Sequence, residues 1–72
     1  MTLPRTLINI FKKLKTPIEI FDVHERFAPR LQDEKWIYFV RWNERVPEGS
    51  VSLSGYQLTR KGREEFKKWK AS

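Results

Sequence analysis

The chain has 72 residues, enough for one small domain, and carries 15 Lys+Arg against 9 Asp+Glu for a net charge of +6. Hydrophobic residues make up 39% and aromatics 14%, too many for a disordered tail, while the absence of cysteine removes disulfides, thiolate metal sites and cysteine catalysis. No apolar run approaches the ~20 residues of a membrane helix and no signal-peptide stretch opens the chain, so a cytoplasmic protein without membrane contact is expected. A domain of this size buries only roughly 60% of its unfolded surface, which leaves its large side chains to supply the core.

Charge is concentrated at the two ends. Residues 1–16 hold Arg5, Lys12, Lys13 and Lys15 with no acid, and residues 59–72 hold six bases against Glu64 and Glu65. Residues 17–35 are acidic on balance, and residues 36–58 are neutral. A polyanion would therefore meet the ends first.

In chain order, Leu7, Ile10, Phe11 and Leu14 follow helical spacing, with Arg5, Asn9, Lys12 and Lys13 on the other side. Thr2 is placed to cap this helix, Pro4 suits its first turn, Lys15 suits its C-terminal end, and Thr16-Pro17 interrupts it. Residues 17–28 stay open between two readings. Thr16-Pro17-Ile18-Glu19 has the form of a capping box, whereas Ile18 to Val23 is β-branched and aromatic as strands prefer. Pro29 is expected to end either element.

Trp36 to Trp42 (WIYFVRW) would be apolar on nearly every side of a helix and reads as the central strand. Asn43 to Ser50, with Pro47, Glu48 and Gly49, reads as a long loop that projects as a wing. Val51, Leu53, Tyr56 and Leu58 form a further strand in which Gly55 shifts the alternation as a bulge would. Thr59 caps a last helix anchored by Phe66 and Trp69 with Gly62 on the same side. On it Arg60, Arg63, Lys67 and Lys70 fall within an ~80° stripe, and Lys61 and Lys68 form a second basic group.

Catalytic sets are missing from the sequence, and no enzyme is expected. The one histidine, His24, in Asp-Val-His-Glu, lacks the second histidine that a zinc-protease helix would place at position 28, which is alanine. It cannot complete a zinc site alone, so no metal or other cofactor is expected. Ser50, Ser52 and Ser54 have no partner arrangement for nucleophilic chemistry, and the Asp33-Glu34 and Glu64-Glu65 pairs read as solvating groups. Trp36, Tyr38, Phe39 and Trp42 have two readings: all core, or one strand face left open to stack on unpaired bases. Ile-Tyr-Phe-Val-Arg-Trp is also similar, over these few residues, to the middle strand of chromodomain-like barrels, whose aromatic cage binds methyl-lysine.

Leu58-Thr59-Arg60-Lys61-Gly62-Arg63-Glu64-Glu65-Phe66 resembles the strand-to-helix step after the wing in winged helix-turn-helix regulators of the MarR-like and PadR-like families. The Pro-Glu-Gly loop within Arg41 to Tyr56 is similar to their wing hairpin. The resemblance covers residues 40–66 and implies that Arg41, Arg45 and Ser50 reach DNA backbone or minor groove. The two helices such regulators need before the wing would have to come from residues 17–35, a stretch that contains Pro29.

The expected fold is a single α+β domain over residues 1–72. It has an N-terminal helix, an antiparallel sheet of two to three strands and a C-terminal helix, arranged as a winged helix or as a helix, three-stranded meander and helix. The expected function is DNA binding by a winged-helix-type transcriptional regulator or an accessory factor of the phage or plasmid kind. Phosphate contacts fall to Arg41, Arg45, Arg60, Lys61, Arg63, Lys67 and Lys70, with Lys12 and Lys13 secondary, and base reading falls to Arg26 and Arg30. A homodimer is compatible with this reading. The alternative is a protein–protein adaptor whose exposed central-strand aromatics anchor a partner.

Overall fold

A computed structural model of the protein describes residues 3–72. In it, α1 (Arg5–Lys13) buries Leu7, Ile10 and Phe11 on one side, as their spacing requires. Pro4 occupies the N-cap position, and the expected capping role of Thr2 lies outside the described residues. The helix stops short of Thr16, because Leu14 turns to extended backbone and closes the last turn with its N–H on the Ile10 and Phe11 carbonyls.

Residues 14–27 adopt neither of the two expected elements. The Glu19 carboxylate does reach back, accepting the Lys15 N–H at 2.8 Å, but no helix follows. Instead Phe21 exchanges two backbone hydrogen bonds with Tyr56, at 2.8 and 2.9 Å, as an isolated antiparallel bridge. Pro29 opens a helix rather than ending an element: it stands in the first turn of α2 (Ala28–Asp33), where its missing N–H has no intrahelical partner to lose. Only this six-residue helix lies between α1 and the sheet, so no second helix is present there to complete a helix-turn-helix. It ends in a Schellman turn, with Trp36 N–H on Leu31 O and Lys35 N–H on Gln32 O, both at 3.0 Å. Lys35 takes the left-handed position (φ 65°) that glycine usually fills.

Strands β1 (Ile37–Val46) and β2 (Gly49–Leu58) run through the stretch expected to be a long loop and leave a two-residue turn, Pro47-Glu48. Proline cannot take the positive φ of a primed hairpin turn, and the left-handed requirement falls on Gly49 (φ 141°). The register is unbroken from Ile37↔Leu58 to Val46↔Gly49, so Gly55 makes no bulge. The apolar side changes instead. Near the base, Ile37, Leu58, Phe39 and Tyr56 share one face; near the tip, Trp42, Leu53, Val46 and Val51 lie on the other. Gly55 permits a close crossing, because a Cβ there would stand 2.7 Å from Ile20 and 3.2 Å from the Phe21 carbonyl.

Helix α3 (Arg60–Ala71) starts as its sequence indicates, with the Thr59 hydroxyl accepting the Gly62 N–H at 3.2 Å. Its Phe66 and Trp69 meet Phe11 of α1, ring centroids 5.3 and 5.7 Å apart, which closes a core completed by Leu31, Trp36, Ile37 and Leu58. The molecule is a small α+β domain: helix, two-stranded antiparallel sheet, C-terminal helix. Two substitutions have opposite expected effects. Gly62→Ala drives a methyl group into the Trp36 backbone carbonyl, and thermal unfolding should show a loss of about 2 kcal/mol despite the ~1 kcal/mol that this change normally adds in a helix. Lys35→Gly relieves the left-handed backbone and should gain about 0.5–1 kcal/mol.

Candidate nucleic-acid interface

Of the four strand aromatics, only Trp36 is fully in the core; Tyr38 and Phe39 are 40% and 47% exposed, and Trp42 is half-buried. The sheet is a two-stranded ribbon, not a barrel, and the Trp36 ring is covered by Lys61 of the same chain, whose Nζ lies 4.0 Å from the ring centroid. That contact takes the place a methyl-lysine would need.

The outer half of the ribbon has one face made wholly of hydrogen-bonding side chains. Beyond the Phe39·Tyr56 pair, whose rings meet edge to face at 5.6 Å, the cross-strand pairs on that face are Arg41·Ser54, Asn43·Ser52 and Arg45·Ser50. All six residues are exposed and none is acidic; Glu44 lies on the opposite face. Neither arginine has an ion-pair partner among the described residues. Sequence reading singles out Arg41, Arg45 and Ser50 but misses Asn43, Ser52 and Ser54. The signal for them is the strict period of two, concealed by assigning Asn43 to Ser50 to a loop.

The basic stripe on α3 divides. Arg63 is half-buried, its Nε donating to the Leu58 carbonyl at 3.1 Å with Nη2 3.5 Å from the Tyr38 hydroxyl. Lys61 donates to the Glu34 carbonyl at 3.0 Å, and Lys70 to the Lys15 carbonyl at 3.2 Å. Arg60 lies 3.5 Å from Glu64. Lys67 is exposed and without an ion pair among the described residues. Because Phe11 of α1 meets Phe66 and Trp69 of α3, the basic ends of the chain adjoin, with Lys70 beside the end of α1.

Arg26 and Arg30 stand away from the ribbon's polar face. Arg26 lies in the turn before α2 and Arg30 within it, and both line a cleft of about 330 Å³ together with Arg5 at the start of α1. Sequence reading misses Arg5 as a site residue, because its partners Arg26 and Arg30 come from a segment distant in sequence. His24 belongs to the same turn: its Nδ1 accepts the Arg26 N–H at 3.0 Å and its carbonyl accepts the Phe27 and Ala28 N–H groups. Among the described residues no cluster of three His, Asp or Glu side chains is placed to hold a metal, and no helix is long and apolar enough to cross a membrane.

Comparison with protein-family models, curated proteins and solved structures gives no match to this chain.

The divided stripe makes a stability prediction. Lys61→Ala removes a cation from an aromatic face and a donor from a helix-end carbonyl, so it should cost about 1 kcal/mol, or roughly 4–8 °C in Tm. Lys67→Ala should stay within about 0.5 kcal/mol of the parent protein.

Proposed function

We propose that this protein binds duplex DNA, with the polar face of its β-ribbon as the main contact surface, as a small regulatory or accessory factor. The observation that carries the reading is the pairing of Arg41, Asn43 and Arg45 with Ser54, Ser52 and Ser50 on one acid-free face of a projecting hairpin. Arginine supplies the fork that matches phosphate oxygens and guanine edges, and the short hydroxyls across from it on β2 donate to phosphate without holding the backbone off. A two-stranded ribbon fits the major groove of B-DNA, about 12 Å wide, whereas the A-form RNA major groove is too narrow for it. Lys67, Lys12 and Lys13, exposed on helices α3 and α1, add to the field that draws a polyanion in. The net charge of +6 supports the same reading.

A protein–protein adaptor is the second reading, favoured by the other face of the ribbon. There Trp42, Leu53, Val46 and Val51 lie together, and Ile18 and Ile20 remain 63% and 46% exposed.

Fluorescence anisotropy with a labelled duplex, titrated between about 50 and 200 mM salt, separates the two. Affinity should fall steeply with salt. Arg41→Ala and Arg45→Ala should each weaken binding across sequences and reduce the logarithmic salt slope by about 1. A salt response that is flat over this range would remove the DNA reading and leave the adaptor.

A further inference from the structure

We propose that the cleft between the start of α1 and α2 is a phosphate-binding site, in which Arg5, Arg26 and Arg30 close around one phosphate group. The site is independent of the ribbon. Its volume, about 330 Å³, exceeds what a bare phosphate needs, and its lining includes Arg5, Arg26 and Arg30 together with Thr6 and Phe27, with no Asp or Glu. Three like charges around one acid-free cleft repel each other unless an anion lies between them. Each guanidinium brings five donors in a planar fork that matches two oxyanion oxygens at once.

The cleft walls are held in place before any ligand arrives. Arg26 sits in a turn fixed by three hydrogen bonds to His24: Arg26 N–H to the ring Nδ1 at 3.0 Å, and Phe27 and Ala28 N–H to the carbonyl at 2.9 and 3.1 Å. Its guanidinium carbon lies 5.8 Å from the Phe27 ring centroid, and this contact steadies it. Arg30 is only loosely engaged, 3.9 Å from Glu34 with its side chain 81% exposed, so its donors remain available. The opposite wall is the first turn of α1, a nine-residue helix with no acidic residue there, whose positive dipole end favours the same charge.

A second cleft of about 200 Å³ shares Thr6 and Phe27 with it and is lined further by Ile10, Phe21 and Val23, with Lys13, Asp22 and His24 as its charged and titratable members. It offers room for an organic group attached to the phosphate, so both free phosphate and a phosphate monoester fit the chemistry. The two sources are told apart by affinity.

The test is an NMR titration of the arginine Nε–H resonances of the intact protein, first with inorganic phosphate and then with a nucleoside 5′-monophosphate, each against chloride at matched ionic strength. Saturable shifts confined to Arg5, Arg26 and Arg30 are expected, and Arg26→Gln and Arg30→Gln should each weaken binding by about tenfold or more. These residues are exposed, and unchanged thermal unfolding would show that the variants fold. A monophosphate that binds at least about tenfold tighter than inorganic phosphate identifies esters as the ligand; equal affinity identifies the free anion. The proposal is overturned if neither phosphate produces saturable shifts beyond chloride. It is also overturned if Arg41 and Arg45 shift equally, or if the glutamine variants bind unchanged. Arg41→Ala and Arg45→Ala should leave phosphate binding intact, so loss of the cleft and loss of the ribbon reading would be seen separately.

Discussion

The carbonyl of Trp36 is the point on which the architecture hangs. It accepts the Thr59 N–H at 3.0 Å, with the Thr59 hydroxyl oxygen 3.2 Å away, while Gly62 lies against it with no room for a side chain. Trp36 follows the Schellman turn of α2 and precedes β1; Thr59 follows β2 and caps α3. Four element ends are therefore joined at one peptide group. The Thr59 hydroxyl donates its one proton to the Lys35 carbonyl and its N–H serves the Trp36 carbonyl, so both carbonyls leaving the left-handed turn are satisfied by a single threonine. An N-cap of this kind is worth about 1 kcal/mol on a helix alone. Here it also sets where both legs of the ribbon begin.

That anchoring explains how the hairpin can carry opposite faces at its two ends. The base must present Ile37 and Leu58 to the helices, both nearly inaccessible to solvent, and Phe39 and Tyr56 continue that face outward. Beyond them no helix remains to cover the sheet, and the same face becomes arginine, asparagine and serine. The apolar side chains of the outer half pass to the reverse face, where the Ile18–Asp22 segment crosses β2 at Gly55 and Gln57 donates to the Ile18 carbonyl at 2.7 Å. A regular ribbon can do this without a bulge, since what changes along it is the neighbour and not the pleat.

The sequence shows most plainly what depends on local spacing. The apolar arc of α1, the Trp36 to Trp42 strand and the Thr59 cap are all legible, because each is a pattern within a few residues. What fails is decided at a distance. Gly55 reads as a bulge because the apolar residues change phase around it, but the cause is a segment 35 residues earlier that needs its missing Cβ. Pro29 reads as a terminator because only the preceding apolar run is visible, although a proline in a first turn serves equally as a start. Residues 17–28 balance helix against strand since Phe21 needs one pairing to Tyr56 and nothing longer. The candidate site follows the same rule. Arg41 and Arg45 are legible from the hairpin, whereas the grouping of Arg5 with Arg26 and Arg30 exists only once α1 is laid beside the α2 turn.

Where the charges are compensated explains which cations the fold leaves available. The three ion pairs among the described residues are local: Arg30–Glu34 joins α2 to its own C-cap, and Arg60–Glu64 and Lys68–Glu65 lie within α3, at a spacing of three or four. Exposed pairs of this kind contribute about 0.3–0.5 kcal/mol each and join no two elements. Contacts between elements are made instead by cations on carbonyls: Lys61 at the C-cap of α2, Arg63 at the end of β2, and Lys70 just past α1. Helix α3 thus docks by donating to the backbone where the other elements end and leave acceptors unpaired. That uses much of the basicity which the sequence places on its last helix. The ribbon arginines and the α1–α2 cleft have no such use inside the fold. Among the described residues their side chains make no ion pair apart from the loose Arg30 contact, and it is there that the field of a protein with net charge +6 is least spent on its own structure.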